Sequence, residues 1–101
     1  MNEELIIKIR DKITESCASR KLDGGGLARY IEHGIGPGGF LTAVLEDSLV
    51  EAASRADDQN QRRLFDWAYI MYNDVPWDAR GSRENVRAWM AHGGMRGIQG
   101  G

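Results

Sequence analysis

Tyr30-Ile31-Glu32-His33-Gly34-Ile35-Gly36-Pro37-Gly38-Gly39-Phe40-Leu41-Thr42-Ala43-Val44-Leu45 is the stretch that decides the fold class. Apolar residues at helical spacing stand on both sides of a proline–glycine turn: Leu27, Tyr30 and Ile31 before it, Phe40, Leu41, Val44 and Leu45 after it. Gly34 suits the left-handed position that closes a helix. Pro37 suits the first turn of the next helix, where its missing N–H leaves nothing unpaired. Two short helices meeting at a glycine corner are therefore expected, from about Leu27 to His33 and from Pro37 or Gly38 to Leu45.

Outward from this corner the pattern stays helical. Leu5, Ile9 and Ile13 recur every fourth residue, with Ile6 and Cys17 beside them, opposite a charged face of Lys8, Asp11, Lys12 and Glu15. That is an amphipathic helix from about Glu3 to Ala18, with Asn2 as its cap. Arg20 to Gly26 reads as a loop, because three consecutive glycines disfavour a helix interior. Beyond Leu45 the periodicity leaves two readings open: Asp47 breaks the chain and caps a fourth helix near Ser48 to Ala56, or the helix runs through. Asp57-Asp58 caps a helix from about Gln59 to Tyr72, which ends before Pro76. Ser82 caps the last helix, whose apolar face is Val86, Trp89 and Met90. Gly93-Gly94 closes it, and the glycine-rich, aperiodic residues that follow read as a flexible tail. The expectation is an all-α fold: a compact bundle of five or six short helices, one domain over 1–94 and a flexible tail over 95–101.

Composition narrows the function classes. The chain has 101 residues, 42% apolar and 28% charged, with a formal net charge of −2. A slight acidic excess argues against a general nucleic-acid binder, so no DNA partner is expected. A single cysteine excludes an internal disulfide and fits a reducing compartment. No apolar run approaches the ~20 residues of a membrane span, and the acidic start lacks a signal-peptide pattern. The expected setting is the cytoplasm, without a membrane partner. Because a chain this small with three tryptophans covers its aromatics more readily with a second subunit, a homo-oligomer is expected.

Two features point to chemistry. A helix start preceded by glycines exposes backbone N–H groups and lets a ligand approach closely, which suits phosphate or carboxylate. Gly36, Gly38 and Gly39 supply that start. Arg29 and His33, four apart on the preceding helix, are the nearest candidate charges, with Arg20, Lys21 and Arg55 as further ones. The same residues also make a plain helix–helix corner. The second feature is the aromatic set, in which Tyr30 and the loop residue Trp77 are candidates to stack on a base or meet a partner. No metal is expected, since His33, His92 and Cys17 lack ligand spacing, and no cofactor motif is present. No serine or cysteine sits in a nucleophile context. A helix-turn-helix reading fails, because Gly39 to Asp47 offers no Arg, Lys, Asn or Gln to read bases.

The segment from Tyr30 to Leu45 is similar to that of a family of small, mostly uncharacterised proteins of tailed bacteriophages and prophages. Members typically read like "YIEHGIPPGGFLTAVL", followed by an Arg-Ala-Asp segment, a "YN..P" turn and a tryptophan-bearing last helix. Here the later parts correspond to Arg55-Ala56-Asp57, Tyr72-Asn73-Asp74-Val75-Pro76 and Gly81-Ser82 to Trp89, so the likeness spans about Tyr30 to Trp89. Gly36 stands where the family has proline, and Arg80 stands where an aromatic is expected. The resemblance implies a phage accessory protein in the host bacterial cytoplasm, of a kind that counters host defence. The expected function is non-enzymatic binding of an anionic, nucleotide-like ligand by Arg29, Tyr30, His33, Gly36, Gly38, Gly39 and Trp77. The alternative is a protein-interaction module that inhibits or redirects a host defence protein.

Overall fold

The computed structural model describes residues 2–99. Among them are eight α-helices, no strand and one short 3-10 turn: α1 (Glu3–Ser19), α2 (Gly25–His33), α3 (Gly39–Leu45), α4 (Leu49–Arg55), α5 (Asp58–Arg62), α6 (Leu64–Asp74), the 3-10 turn Trp77–Ala79, α7 (Arg83–Ala91) and α8 (Gly94–Gln99). None of these helices is long and apolar enough to cross a membrane.

The elements form where local chemistry asks for them. The Asn2 side chain accepts from the Leu5 N–H at 2.8 Å, and Glu3 and Glu4 lie at the positive end of α1. Asp57 and Ser82 do the same for Asn60 and Asn85, opening α5 and α7. Ile6, Ile13 and Cys17 make the buried stripe of α1, while Leu5 is rotated outward. That stripe packs on α2 and α6. The core it joins holds Leu27, Tyr30 and Ile31 of α2, Leu41 and Leu45 of α3, Trp67 and Ile70 of α6, and Val86 and Trp89 of α7.

The class is all-α, but the count exceeds the expected five or six helices for identifiable reasons. Asp47 adopts φ 61°, a left-handed conformation that aspartate tolerates better than most residues, and this separates α3 from α4, a break already counted in the six-helix reading. Ser48 rather than Asp47 takes the N-cap position of α4, without a side-chain hydrogen bond, and the two additional helices arise at Arg63 and at the C-terminus. Arg63 leaves helical geometry at φ −104°, ψ 7°, splitting the expected 59–72 helix into α5 and α6. Gly25 and Gly26 belong to the first turn of α2 rather than to a loop, and the Asp23 carboxylate accepts from the Gly25 N–H at 3.1 Å.

The largest departure is at the C-terminus. Instead of trailing off after Gly94, the chain forms α8 and packs it on α2. Gly34 and Gly94 make that contact. Each has positive φ (74° and 69°), and a Cβ on Gly94 would lie 2.6 Å from the Gly34 nitrogen. Only backbone without side chains fits there. Met95 is fully buried, and Arg96 reaches both Glu32 (2.6 Å) and Glu3 (2.6 and 2.9 Å). Residues 100 and 101 of the expected tail lie outside the described residues.

Two outcomes follow. Met95→Ala is expected to lower the unfolding free energy by about 2–5 kcal/mol, the range for truncating a buried methionine, measured by urea denaturation; a loose tail would give no change. Glu32 is 7% exposed. Burial pushes its carboxyl up, but the Arg96 hydrogen bond, with Arg96, His33 and Arg10 charge, outweighs this and holds it below the ordinary 4.5. Arg96 lowers Glu3 likewise. When the folded pKa lies below the unfolded one, falling pH protonates the unfolded chain first. This stability is therefore complete above about pH 4.5 and is lost as pH drops through the folded values. Urea midpoints from pH 6 down to 3 are expected to fall steeply in the wild type and more shallowly in Arg96→Ala.

Candidate ligand-binding clefts

The glycine corner lies at the surface. Gly36, Gly38 and Gly39 are all exposed. Gly38 turns through φ 95°, and a Cβ there would meet nothing within 4 Å. Gly39 is different: a Cβ would fall 2.9 Å from a terminal nitrogen of Arg55, so the missing side chain lets that guanidinium lie across the backbone. Gly36 backs onto Met90 of α7.

Two clefts share Gly38 and Gly39. One, of about 350 Å³, is lined by Phe40, Trp67, Lys21, Asp57, Gln59 and Asn60 among others. Phe40 and Trp67 meet edge to face there with ring centroids 6.4 Å apart, and the Trp67 indole N–H donates to the Asn60 side-chain oxygen at 3.3 Å. The other, of about 330 Å³, is lined by Arg55, Arg83, Arg87, Thr42, Glu46 and Glu51. Arg83 and Arg87 stand one turn apart on α7, on the flank away from buried Val86 and Trp89. Arg55 pairs with Glu51 at 3.3 Å and Arg83 with Glu46 at 4.0 Å. Arg87 has no carboxylate within 4.0 Å among the described residues. The Arg55–Glu51 pair is exposed, of a kind that contributes about 0–1 kcal/mol, whereas the Glu46 side chain of the other pair is largely buried.

The other expected site residues lie elsewhere. Tyr30 is fully buried, its hydroxyl donating to the Ala79 carbonyl at 2.7 Å, so it has no face to offer a base. The Leu27–Tyr30–Ile31 spacing that makes α2 amphipathic also draws this ring inward. Burial, then Glu46, pushes its phenol pKa up. Arg29 folds back toward Gly25 and Asp23 at the start of its own helix. His33 turns to Glu32, 3.6 Å away, within the Arg10–Glu32–Arg96 cluster. Neither lines the clefts. Trp77 is 72% exposed, but its ring is covered at 4.6 Å by Arg80, and it borders neither cleft. Arg20 bonds Asp66 at 2.6 Å and lies over Tyr69. Lys21 and Arg55 are the expected charges that do line the clefts.

Arg83 and Arg87 were not expected there. Their spacing opposite an apolar helix face is the one local signal for them, and it matches that of any solvated face. No group of three or more metal-ligating side chains occurs among the described residues. Cys17 is buried, and burial, with Asp74 and Asp23, pushes its thiol up to about 11, which keeps it protonated and a poor nucleophile.

Comparison with known proteins gave no match: no family model, no curated protein and no solved structure is significantly similar to this chain.

Proposed function

We propose that the chain is a non-enzymatic binder of an anionic, nucleotide-like ligand held across Gly38 and Gly39. The observation that carries this is the junction of two unlike clefts at those glycines: an aromatic one with amide side chains, and one with three arginines. A nucleobase suits the first, with Phe40, backed by the buried Trp67, as its apolar wall and Asn60 and Gln59 as hydrogen-bonding groups. A phosphate suits the second, where Arg55, Arg83 and Arg87 supply planar donors matched to its oxygens. Because α3 has only seven residues, the arginine side chains rather than the helix dipole carry the binding energy. With the resemblance to phage proteins added, the proposed setting is an infected bacterium and the proposed role is sequestration of a host signal.

Thermal melts with a panel of linear and cyclic mono- and dinucleotides test this directly. At a hundredfold excess over Kd, a bound nucleotide adds about 2.7 kcal/mol of stability, visible as a raised Tm, whereas the phosphate-free nucleosides leave Tm in place. Arg87→Ala is expected to weaken binding about 10- to 100-fold, the loss of one charge-assisted hydrogen bond, without altering the melt of the free protein. A panel that moves nothing overturns the reading.

A further inference from the structure

A groove between α4 and α6 shares no residue with either cleft. Its volume is about 320 Å³, and its walls include Leu49 and Ala52 of α4 and Leu64, Ala68 and Tyr72 of α6. Beside it, Phe65 is 91% exposed, Val50 83%, Tyr72 69%, Leu49 67% and Tyr69 52%. Phe65, Ala68, Tyr69 and Tyr72 fall at i, i+3, i+4 and i+7, a continuous stripe along the outer side of a helix whose inner side is already buried through Trp67, Ile70 and Met71. A side chain of phenylalanine or tyrosine size buries about 150–250 Å² when covered. The three aromatics at these exposures, with Leu49 and Val50, therefore offer roughly 500–700 Å². Each partner in a standard interface contributes about 800 Å², and this patch lies at or above the roughly 300–600 Å² of the largest on a typical monomer, which is often an interaction site.

We infer that this face is covered by a second copy of the chain, with the two α6 helices antiparallel about a twofold axis near Ala68. Three observations favour a like partner. The stripe is large–small–large about Ala68, so antiparallel pairing sets Phe65 against Tyr72 of the other copy while the two Ala68 residues let the backbones approach. The four side chains of the stripe are uncharged, and Arg20, which lies over Tyr69, is paired with Asp66 at 2.6 Å, so like does not repel like. Asp47 and Arg80 both line the groove, and neither has an ion pair within the chain among the described residues. The Nε and one Nη of Arg80 are buried and out of a partner's reach, which leaves its other Nη as the group to meet the partner's Asp47. An isologous contact brings each residue of one copy to its opposite on the other, so one cation and one anion on the same face form two reciprocal pairs. The contact leaves the Gly38–Gly39 clefts open, and its failure would not touch the ligand reading.

Sedimentation equilibrium or native mass spectrometry of the full chain, up to about 100 µM to fill a micromolar interface, should show a dimer. Phe65→Asp should weaken its Kd at least about 100-fold, since a central aromatic is lost from both copies, with helical content unchanged because the residue lies in solvent. Ala68→Cys should form a disulfide-linked dimer under mild oxidation, while Ala88→Cys on exposed α7 should not; Cys17 is buried and does not compete. A chain that stays monomeric throughout overturns the inference and leaves the face to a different protein. A dimer that survives Phe65→Asp, or that forms without the Ala68→Cys cross-link, overturns this contact as well.

Discussion

Tyr30 is the residue on which the arrangement of the second half of the chain depends. It is fully buried, and two long-range hydrogen bonds meet on it: its hydroxyl donates to the Ala79 carbonyl at 2.7 Å, and its own carbonyl accepts from the Trp89 indole at 3.0 Å. The same carbonyl also takes the Gly34 N–H at 2.8 Å, closing α2. Each bond contributes about 1 kcal/mol net, but stranding a buried partner costs about 1–3 kcal/mol. The 3-10 turn and α7 are thus referred to one point on α2. With Trp89 seated inward, the helical period sets Arg83 and Arg87 on the flank facing the glycine corner. The geometry of the arginine cleft is in this sense a consequence of a tyrosine that never meets solvent.

Glycine serves opposite purposes at two places in the same motif. At Gly34 and Gly94 it permits backbone to touch backbone, and a methyl group would push α8 away from α2. At Gly38 the space is open, and what glycine supplies is the φ of 95° that starts α3. In the sequence the two look alike. Gly93-Gly94 read as the end of order because glycine clusters more often terminate helices than join them. Met95, buried at the far side of that pair, and Ile98 are the residues whose apolar character argues otherwise.

What was legible was local. Asn2, Asp57 and Ser82 cap helices where their side chains suggest, Asp47 interrupts the chain but leaves the cap position of α4 to Ser48, and the all-α class follows from the spacing of Leu27, Tyr30, Ile31, Phe40, Leu41, Val44 and Leu45. The break at Arg63 has no such signal, since arginine is a good helix former; the helix that follows it is the one that buries Trp67 and Ile70. The candidate site was less legible, for a related reason. Tyr30 combines a hydroxyl with a place beside the glycines, which suggested recognition, but the same periodicity that made α2 a helix committed it to the core. The arginines come from α4 and α7, nearly thirty residues apart by sequence, and only the pinning of α7 through Trp89 brings them together.

The charge balance of the arginine cleft constrains what it would select. Three guanidinium groups face two carboxylates, in a chain whose formal net charge is −2. A monoanion meets one unpaired cation, Arg87, and must compete with Glu46 and Glu51 for the others. A terminal phosphate carries close to two charges and three acceptor oxygens, enough to take Arg87 and draw Arg55 from its exposed i,i+4 partner, because that pair is weak. On the proposed reading, the acidic side chains would act as a threshold that simple carboxylates fall below and phosphate-rich ligands exceed. Salt screens both the internal pairs and the incoming ligand, but the ligand arrives with more charge and stands to lose more. On the proposed reading, raising ionic strength lowers the affinity for every anion, most for the highly charged ones, and so narrows the discrimination between them.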